Sequence, residues 1–497
     1  MNKRGFTLVE LIGTIVILLV LSLLVFPNLL NLIKNSKKDI STSTKDFIYG
    51  QAKSYIYDNV NGYTLKEGNI YCIGLKDLVS KNYLNTPLKD AESGNDIDLS
   101  KQIEVKVNNN DYSYELVETC TPKSYYTDNS GANTPKLFNN MVPIKYENNK
   151  WLVADLYSKW YDYNSKQWAN AIVLNSGVTK NVGDEVTEEE ISLWYVWLPR
   201  YKYTIFNGNK GNVSEQLINI TFENGVDKTG TLRCNDNADG SETCTDNTYG
   251  SIVNGKSTYT HPAFKFGNTN LTGFWVGKFE VSGSTSTITV KPNVTSLRNQ
   301  TVSSFFTAIQ NVKTTYGINN ADSHMMKNME WGAVAYLKQS KYGLGTTDIA
   351  VNDNASYYTG GGTSDAYKTN VAQSTTGNIY GVYDMSGGAW EYVMGNYNDT
   401  ISSSGFSSMP DKKYYNKYTS STGKMGDATM ETLKTSGTYG GGDGWYSDFT
   451  KFPPTNGQWF YRSGGNSDAK YAGVFYFYSS GGQSIKTISS RAVLSAQ

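Results

Sequence analysis

Residues 1–33 read MNKRGFTLVELIGTIVILLVLSLLVFPNLLNLI, and the rest of the chain is organised around this stretch. Lys3 and Arg4 form a short basic head, and no charged residue occurs between Leu11 and Ile33. An uncharged apolar run of this length is long enough to span a bilayer as a helix. The sequence therefore predicts a transmembrane helix in this stretch.

One carboxylate, Glu10, interrupts the apolar stretch near its start. A bare carboxylate in lipid is costly unless it finds a partner, so Glu10 is interpreted as a functional residue. The small-residue cleavage site of an ordinary secretory signal does not follow the apolar run. The alternative interpretation is a simple N-terminal membrane anchor.

The segment KRGFTLVE, residues 3–10, resembles the prepilin peptidase motif of the type IV pilins and pseudopilins. The resemblance implies cleavage between Gly5 and Phe6, which makes residues 1–5 a leader, and methylation of the new N-terminal Phe6. It also implies that Glu10 pairs with the terminal ammonium of a neighbouring subunit, which satisfies the buried carboxylate only when subunits stack in register.

This resemblance also implies where the protein is located and what it contacts. The expected partners are prepilin peptidase, the membrane before assembly and, through the N-terminal helix, other pilin subunits. The expected location is a pilus on the bacterial cell surface, with the precursor in the cytoplasmic membrane.

Length and composition limit the remaining possibilities. A chain of 497 residues holds two or three domains and at least one large core. Lys plus Arg equal Asp plus Glu at 45 each, so no nucleic acid partner is expected. The 38 tyrosines and 47 glycines are typical of β-rich, loop-rich recognition surfaces. They also suit an ordinary extracellular β protein, which is the alternative.

The four cysteines fall into two pairs, Cys72 with Cys120 and Cys234 with Cys244. In an exported chain, disulfides are the default interpretation of such pairs. Neither pair has the spacing of a metal site, and His261 and His324 are the only histidines, so zinc is not expected.

Residues 6–122 are predicted to form a pilin-like helix and head. Apolar and aromatic residues recur at roughly helical spacing over residues 39–59, which predicts that the helix continues with its inner face packed on the head. These residues are Ile40, Phe47, Ile48, Tyr55 and Ile56. Residues 70–90 are interpreted as a short helix and a turn. Residues 102–107 and 112–117 alternate like paired strands around a turn, which predicts a small antiparallel sheet closed by Cys72 and Cys120.

Residues 123–190 are predicted to be a linker followed by a β-rich connecting region. Five tryptophans in and just after this region are expected to be core residues, although a ligand platform is the alternative. They are Trp151, Trp160, Trp168, Trp194 and Trp197.

Residues 191–497 resemble the formylglycine-generating-enzyme type of C-type-lectin-like fold. Four stretches carry the resemblance: YVWLP at 195–199, FWVGKFEV at 274–281, MEWGAVAY at 329–336 and NIYGVYDMSGGAWEY at 378–392. The expected fold class is therefore α+β, with a long pilin helix and a small antiparallel sheet followed by a large C-type-lectin-like domain.

Enzymatic activity is not expected from this domain. Enzymes of the formylglycine type oxidise a substrate cysteine with active-site cysteines late in the domain, whereas this chain has none after Cys244. No thiolate is then available there as nucleophile or soft metal ligand, so no copper and no catalytic residues are expected. The two histidines also lack a serine or cysteine partner by motif.

Calcium is a separate expectation that rests on the same resemblance. In that family the last of the four motifs binds Ca²⁺, which here implies a structural site at Asp384, Gly387, Ala389 and Glu391. Two carboxylates with backbone carbonyls between them are suitable hard-oxygen ligands. The alternative is that Asp384 and Glu391 only hydrogen-bond the turn.

The last part of the domain, residues 459–497, mixes glycine turns and core hydrophobes with polar positions. Tyr476 and Tyr478 alternate with Phe475 and Phe477, so the two tyrosines are predicted to share an exposed face. The predicted ligand-binding residues are Asn466, Asp468, Lys470, Tyr471, Tyr476, Tyr478, Ser479, Ser480, Gln483, Ser484, Ile485, Lys486, Thr487 and Ile488.

This layout resembles the variable region of proteins diversified by retroelements that mutate adenines. The resemblance implies that Asn codons at these positions change to Tyr, Ser, Asp, Ile or Thr codons. Lys470, Gln483 and Lys486 fit that set less well. The alternative is an ordinary terminal hairpin with polar outward positions.

Together these features predict a minor pilin-like subunit that displays a lectin-fold domain for binding a surface protein or glycan. A domain of this bulk favours a tip or sparse position over a tightly packed shaft. The alternatives are a structural pseudopilin of a secretion or DNA-uptake system and an oxidase of the formylglycine type.

Overall fold

The computed structural model describes residues 40–59, 68–108, 111–205, 214–230, 258–419, 423–434, 439–452 and 457–496, and the backbone of 234–236 and 242–244. The predicted transmembrane helix and the residues Gly5, Phe6 and Glu10 lie outside these ranges. Within them, no helix is both long and apolar enough to cross a membrane. The chain divides into two compact units, Met1–Tyr125 and Tyr126–Gln497.

The first unit contains the predicted helix, α1, at Thr42–Asp58. Its buried side chains recur at every fourth position, at Thr44, Ile48, Ala52 and Ile56. This spacing forms a single stripe along the helix, as residues four apart lie on one face. Phe47 lies outside the stripe and is 54% exposed, so its assignment to the inner face was wrong.

A three-stranded antiparallel sheet completes the first unit. It contains β1 (Ile70–Gly74), β2 (Gln102–Asn108) and β3 (Asp111–Val117), in the order β1-β2-β3, with α2 (Leu75–Ser80) after β1. The predicted hairpin is confirmed, whereas β1 occupies the start of a segment predicted as helix and turn. The predicted disulfide between Cys72 and Cys120 is confirmed, with a Cα–Cα distance of 5.6 Å.

The second unit is built mainly from short strands. They are β4 (Met141–Glu147), β5 (Lys150–Val153), β6 (Asn170–Leu174), β7 (Glu185–Val186), β8 (Ile191–Pro199), β9 (Tyr201–Thr204), β10 (Asn219–Phe222), β11 (Cys234–Asp236), β12 (Glu242–Cys244), β13 (Tyr259–Thr260), β14 (Lys265–Phe266), β15 (Thr269–Asn270), β16 (Gly273–Gly277), β17 (Ser282–Gly283), β18 (Ile288–Thr289), β19 (Asp322–Met325), β20 (Trp390–Tyr397), β21 (Asn416–Tyr418), β22 (Trp459–Ser463), β23 (Gly473–Ser480), β24 (Ile488–Ser490) and β25 (Ala492–Ser495).

Helices are short in the part of this unit that the structure describes. The α-helices are α3 (Val302–Gln310), α4 (Val312–Thr315), α5 (Asn328–Lys338) and α6 (Ala366–Thr369). Single 3-10 turns occur at Tyr163–Ser165, Glu188–Glu190, Thr359–Gly361, Val371–Gln373, Lys412–Tyr414, Met430–Thr432, Trp445–Ser447 and Ala469–Tyr471. The described fold is therefore mixed, with many antiparallel strands and few helices.

Two sheets organise the second unit. An eight-stranded antiparallel sheet has the order β19-β25-β16-β8-β6-β4-β5-β7, and a five-stranded sheet has the order β21-β20-β22-β23 with β24 also paired to β20. Residues 123–190 were predicted to be a linker and connecting region, yet β4 to β7 lie in the same sheet as β8. Their pairing is long-range, so the local composition of the segment could not reveal it.

The core follows the sequence pattern closely. The five tryptophans predicted as core residues are all buried. Two stretches quoted for the lectin resemblance form central strands, β8 and β16, which pair in register from Pro199 opposite Gly273 to Tyr195 opposite Gly277. A third stretch lies in the fully buried helix α5. The closing strand β25 then joins β16 to β19.

Candidate functional site

Between β23 and β24 the chain forms a loop, residues 481–487, which carries five of the predicted ligand-binding residues. Gln483, Ser484 and Lys486 are exposed, while Ile485 and Thr487 are half-buried. Ser484 Oγ also donates a hydrogen bond to Asn299 Oδ1 over 2.9 Å.

The loop is held mainly through its own carbonyl groups. Six carbonyl groups of the loop accept hydrogen bonds from other parts of the unit. The donor and acceptor atoms are Ser403 N and Gly481 O (2.9 Å), Val302 N and Gly482 O (3.1 Å), Tyr392 OH and Gln483 O (2.8 Å), Asn299 N and Ile485 O (3.1 Å), Arg298 Nη1 and Lys486 O (2.6 Å), and Trp390 N and Thr487 O (3.1 Å). Because these bonds use the main chain of the loop, they do not depend on which side chains the loop carries.

A second group of predicted residues lies between β22 and β23. Tyr471 is 44% exposed, and the Lys470 ammonium lies 5.3 Å from the centre of its ring. Asp468 has a different role, because its Oδ2 accepts from Trp390 Nε1 (2.8 Å) and from Gly465 N (2.9 Å). Asn466 likewise donates to Asn354 O over 2.9 Å. Asp468 and Asn466 thus hold the segment in place.

The predicted exposed tyrosine face is largely covered. Tyr476 is only 5% exposed, and Tyr478 is half-buried. Phe449 packs on both, with ring-centre distances of 5.7 Å and 5.5 Å. Phe475 and Phe477 are buried on the other face, so the alternation is confirmed but the exposure of Tyr476 is not.

Two further predicted ligand-binding residues are also buried. Ser479, in β23, is 6% exposed, and Ile488, in β24, is 1% exposed. They do not reach the surface, which narrows the predicted set. We define the C-terminal surface by its exposed or half-buried members: Trp390, Lys470, Tyr471, Tyr478, Ser480, Gln483, Ser484, Ile485, Lys486 and Thr487.

The structure adds Trp390 to this surface and places Arg298 and Tyr357 at its edge, and the sequence singled out none of the three as a site residue. Trp390 stands in a motif quoted for the fold, and Arg298 and Tyr357 come from distant loops. Their proximity to the loop depends on tertiary packing. No spacing or composition signal in the sequence could have found Arg298 or Tyr357.

The residues predicted to bind calcium lie in a buried cluster. Glu391 accepts from Arg491 through both carboxylate oxygens, with Oε2 3.0 Å from Nε. Asp384 Oδ1 accepts from Asn352 Nδ2 and Gly360 N, both at 2.9 Å. Ser463 Oγ donates to the Gly387 carbonyl over 2.8 Å.

Electrostatics in this cluster favour protonation of its carboxyl groups. Burial raises the pKa of Glu391 to about 7, although Arg491 opposes the shift. A third carboxyl group, Glu280, accepts from Ala389 N over 2.9 Å. Burial raises the pKa of Glu280 well above its usual range, and the nearby Asp384 and Glu391 raise it further.

This geometry bears directly on calcium binding. Among the described residues, no group of three His, Cys, Asp or Glu side chains is arranged to hold a metal ion. Both oxygens of Glu391 accept hydrogen bonds from Arg491, so calcium at Glu391 would compete with this ion pair. Calcium at Asp384, Gly387, Ala389 and Glu391 stays a prediction. Thermal unfolding of the chain in calcium and in a chelator tests it. Bound calcium should raise the unfolding temperature, and Asp384→Asn should remove that rise.

Both histidines are buried. The ring nitrogens of His324 lie 3.0 Å from Asp322 Oδ1 and 3.0 Å from Glu330 Oε1, so carboxylates occupy both. Burial lowers the pKa of His261 to about 3. These placements favour structural roles, and the absence of enzymatic activity stays a prediction.

The backbone of the second cysteine pair is described in β11 and β12. The register places Cys234 directly opposite Cys244 in this two-stranded antiparallel sheet. The disulfide between them stays a prediction.

Comparison with known proteins identifies the N-terminus. Residues 1–26 match the family described as the prokaryotic N-terminal methylation motif. This motif indicates a pilus-associated surface protein that prepilin peptidase processes and that assembles with pilin subunits. No curated protein matches the chain.

A solved structure shows a faint overall likeness to the chain. The Major Tropism Determinant U1 variant is 12% identical, with 80% of this chain and 82% of that chain covered and a TM-score of 0.27. A TM-score this low does not establish a common fold, so nothing about this chain is inferred from it.

Proposed function

We propose that the chain is a minor pilin-like subunit that displays a ligand-binding unit, residues 126–497, at the bacterial surface. The methylation motif at residues 1–26 supports the pilin part of this proposal. In the proposal the displayed unit is a C-type-lectin-like domain, as its sequence motifs suggest, and it binds a ligand through the C-terminal surface.

The observation that carries the binding part is the way loop 481–487 is held. Six of its carbonyl groups accept hydrogen bonds, and the side chains of Gln483, Ser484 and Lys486 extend into solvent. Except for the bond from Ser484 Oγ to Asn299, the side chains can therefore be exchanged while the bonds that fix the loop remain. Such a surface suits recognition, and it is compatible with diversification at the predicted positions.

The side chains of this surface also resemble those of binding loops. Tyr471, Tyr478 and Trp390 offer large contact area at low entropic cost, and Ser484 and Gln483 add adaptable hydrogen-bonding groups. Antibody combining sites use the same combination to bind proteins. This favours binding over a role as a spacer.

Deep sequencing of codons 459–497 from a growing population of the source organism tests the diversification. We expect substitutions at the exposed positions, such as Gln483, Ser484 and Lys486, with Gly473 and Arg491 unchanged. A uniform population would contradict diversification, while leaving a binding surface of fixed specificity.

The main rival is a structural pseudopilin whose large unit is only a spacer. Deleting residues 126–497 separates the two, because a binding subunit loses attachment to its ligand while pilus assembly continues. Unchanged attachment would contradict the proposal. Immunogold labelling of the large unit tests the tip or sparse position, which uniform labelling of the shaft would exclude.

A further inference from the structure

One arginine differs from the other arginines whose side chains the structure describes. Arg200, Arg462 and Arg491 are buried, and each donates to several carbonyl or carboxylate oxygens. Arg298 is half-buried instead and lies at the edge of the C-terminal surface, next to loop 481–487. Its position therefore needs its own explanation.

The guanidinium of Arg298 is fixed in orientation. Its Cζ lies 3.8 Å from the centre of the Tyr357 ring, and its Nη1 donates to Lys486 O over 2.6 Å. Stacking on a ring and a hydrogen bond in the guanidinium plane together restrict the rotation of the side chain. Arginine held in this way is preorganised for a planar acceptor such as a carboxylate.

The charge of this guanidinium is not balanced locally. Among the described residues, no carboxylate forms an ion pair with Arg298 or with the exposed Lys486. The Nε of Arg298 is buried and has no acceptor among those residues, and Nη1 is its only nitrogen with one. A donor without an acceptor costs free energy, so a carboxylate that bonds to this guanidinium would be favoured.

Hydrogen bonds connect this corner to the rest of the C-terminal surface. Lys486 precedes Thr487, whose carbonyl accepts from Trp390 N, and the Trp390 indole donates to Asp468 beside Tyr471. A ligand that covers Trp390 and Tyr471 therefore reaches Arg298 by following the loop. The tyrosines and the serine along this path are of the kind that antibody combining sites use for proteins, so we take a protein as the ligand.

We infer that Arg298 and Lys486 form a cationic anchor that receives a carboxylate from an acidic segment of a protein ligand. This inference rests on the proposed ligand-binding function. Arg298 lies outside the predicted variable region 459–497 and supplies a constant contact. The residue at position 486 changes how tightly the carboxylate is bound. A change at 486 preserves the bond to Arg298, because that bond uses the main-chain carbonyl.

The test uses the full chain in detergent and measures binding of three probes by thermophoresis. The probes are a glutamate-rich peptide, a glutamine-rich peptide of equal length, and glucuronate. We expect the glutamate peptide to bind about tenfold tighter than the glutamine peptide, as one charge-assisted hydrogen-bonded contact supplies roughly this factor.

Substitutions test whether the preference for the glutamate peptide comes from Arg298 and Lys486. Arg298→Gln should abolish it, and Lys486→Gln should reduce it severalfold. The matched control is Lys341→Gln, which removes one positive charge at an exposed position outside the C-terminal surface and should leave the preference intact. Circular dichroism monitors folding of Arg298→Gln, while Lys486→Gln changes an exposed side chain whose loop bond is kept.

Three outcomes would overturn the inference. They are equal binding of the two peptides, equal effects of Arg298→Gln and Lys341→Gln, and binding of glucuronate without binding of the glutamate peptide. The proposed function is tested separately, by codon sequencing and by deletion of residues 126–497. A ligand bound without acid preference would overturn this inference alone.

Discussion

Two regions of the large unit, the buried cluster around Arg491 and the surface loop 481–487, are held by opposite kinds of hydrogen bond. In the cluster one side chain bridges several segments, because Arg491 donates to Glu391, to Gly277 O (2.8 Å) and to Tyr383 O (2.9 Å). In the loop the main chain accepts the bonds, and most side chains make none.

The difference predicts where the sequence can change. A bond made by a side chain is lost when the residue is replaced, and a buried partner is then left without compensation. A bond made by a loop carbonyl survives the replacement of its side chain. Substitutions in the buried cluster should therefore lower the stability of the chain, whereas substitutions in the loop should have little effect. This contrast is expected although Arg491 lies close to the loop in the sequence.

The largest effect is expected from Arg491→Ala. This change leaves the buried carboxyl of Glu391 without its partner, which typically costs about 3–5 kcal/mol. Denaturant unfolding of the full chain measures the loss of free energy. Lys470→Ala, at an exposed position, is the control and should be nearly neutral. Equal unfolding midpoints for the two variants would show that the side-chain bonds of Arg491 do not stabilise the chain, which would contradict the comparison of the cluster with the loop.

Another buried carboxyl group extends the comparison to pH. Glu431 accepts from Tyr203 OH (3.0 Å), Tyr336 OH and Gly426 N (2.6 Å), and burial raises its pKa from 4.5 to about 7. The folded state then holds a proton that the unfolded state releases at lower pH. The stabilisation is complete below pH 4.5 and is lost as the pH rises through 7.

Glu431→Gln removes this dependence on pH. Between about pH 5 and 8 we expect the original chain to lose about 3 kcal/mol more of its free energy of unfolding than the variant. Urea unfolding at a series of pH values measures the difference. Parallel pH profiles would show that Glu431 ionises normally in the folded chain.

An intermediate effect is expected from Gly473→Ala, inside the predicted variable region. A methyl group at Gly473 would overlap the carboxylate of Asp448, which is buried and accepts from Phe475 N over 2.8 Å. Overpacking of this kind costs about 1–3 kcal/mol. Thermal unfolding measures it, and a neutral result would show that Asp448 can move aside.

Local patterns in the sequence were sufficient for much of the fold. Alternation located the hairpin of β2 and β3, and two stretches quoted for the lectin resemblance lie in β8 and β16. The sequence patterns did not predict contacts between distant segments. Examples are the packing of Phe449 on Tyr476 and the hydrogen bond from Arg298 to Lys486. Alternation along a strand assigns residues to two faces, but it does not show which distant segment covers a face.

The smallest effect, and the sharpest test of the comparison, is expected within the loop itself. Gln483→Tyr and Lys486→Asn replace exposed side chains and preserve the carbonyl bonds from Tyr392 and Arg298. Each should change the free energy of unfolding by no more than about 0.5 kcal/mol.

The matched control for these two variants is their neighbour Gly482, whose main chain adopts a left-handed conformation with φ at 84°. A Cβ at Gly482 would also lie 2.6 Å from Trp459 Cδ1, so Gly482→Ala should destabilise the chain. Thermal unfolding of the three variants decides the question. If Gln483→Tyr costs as much as Gly482→Ala, the side chains of the loop hold its shape after all, and the loop could not vary freely.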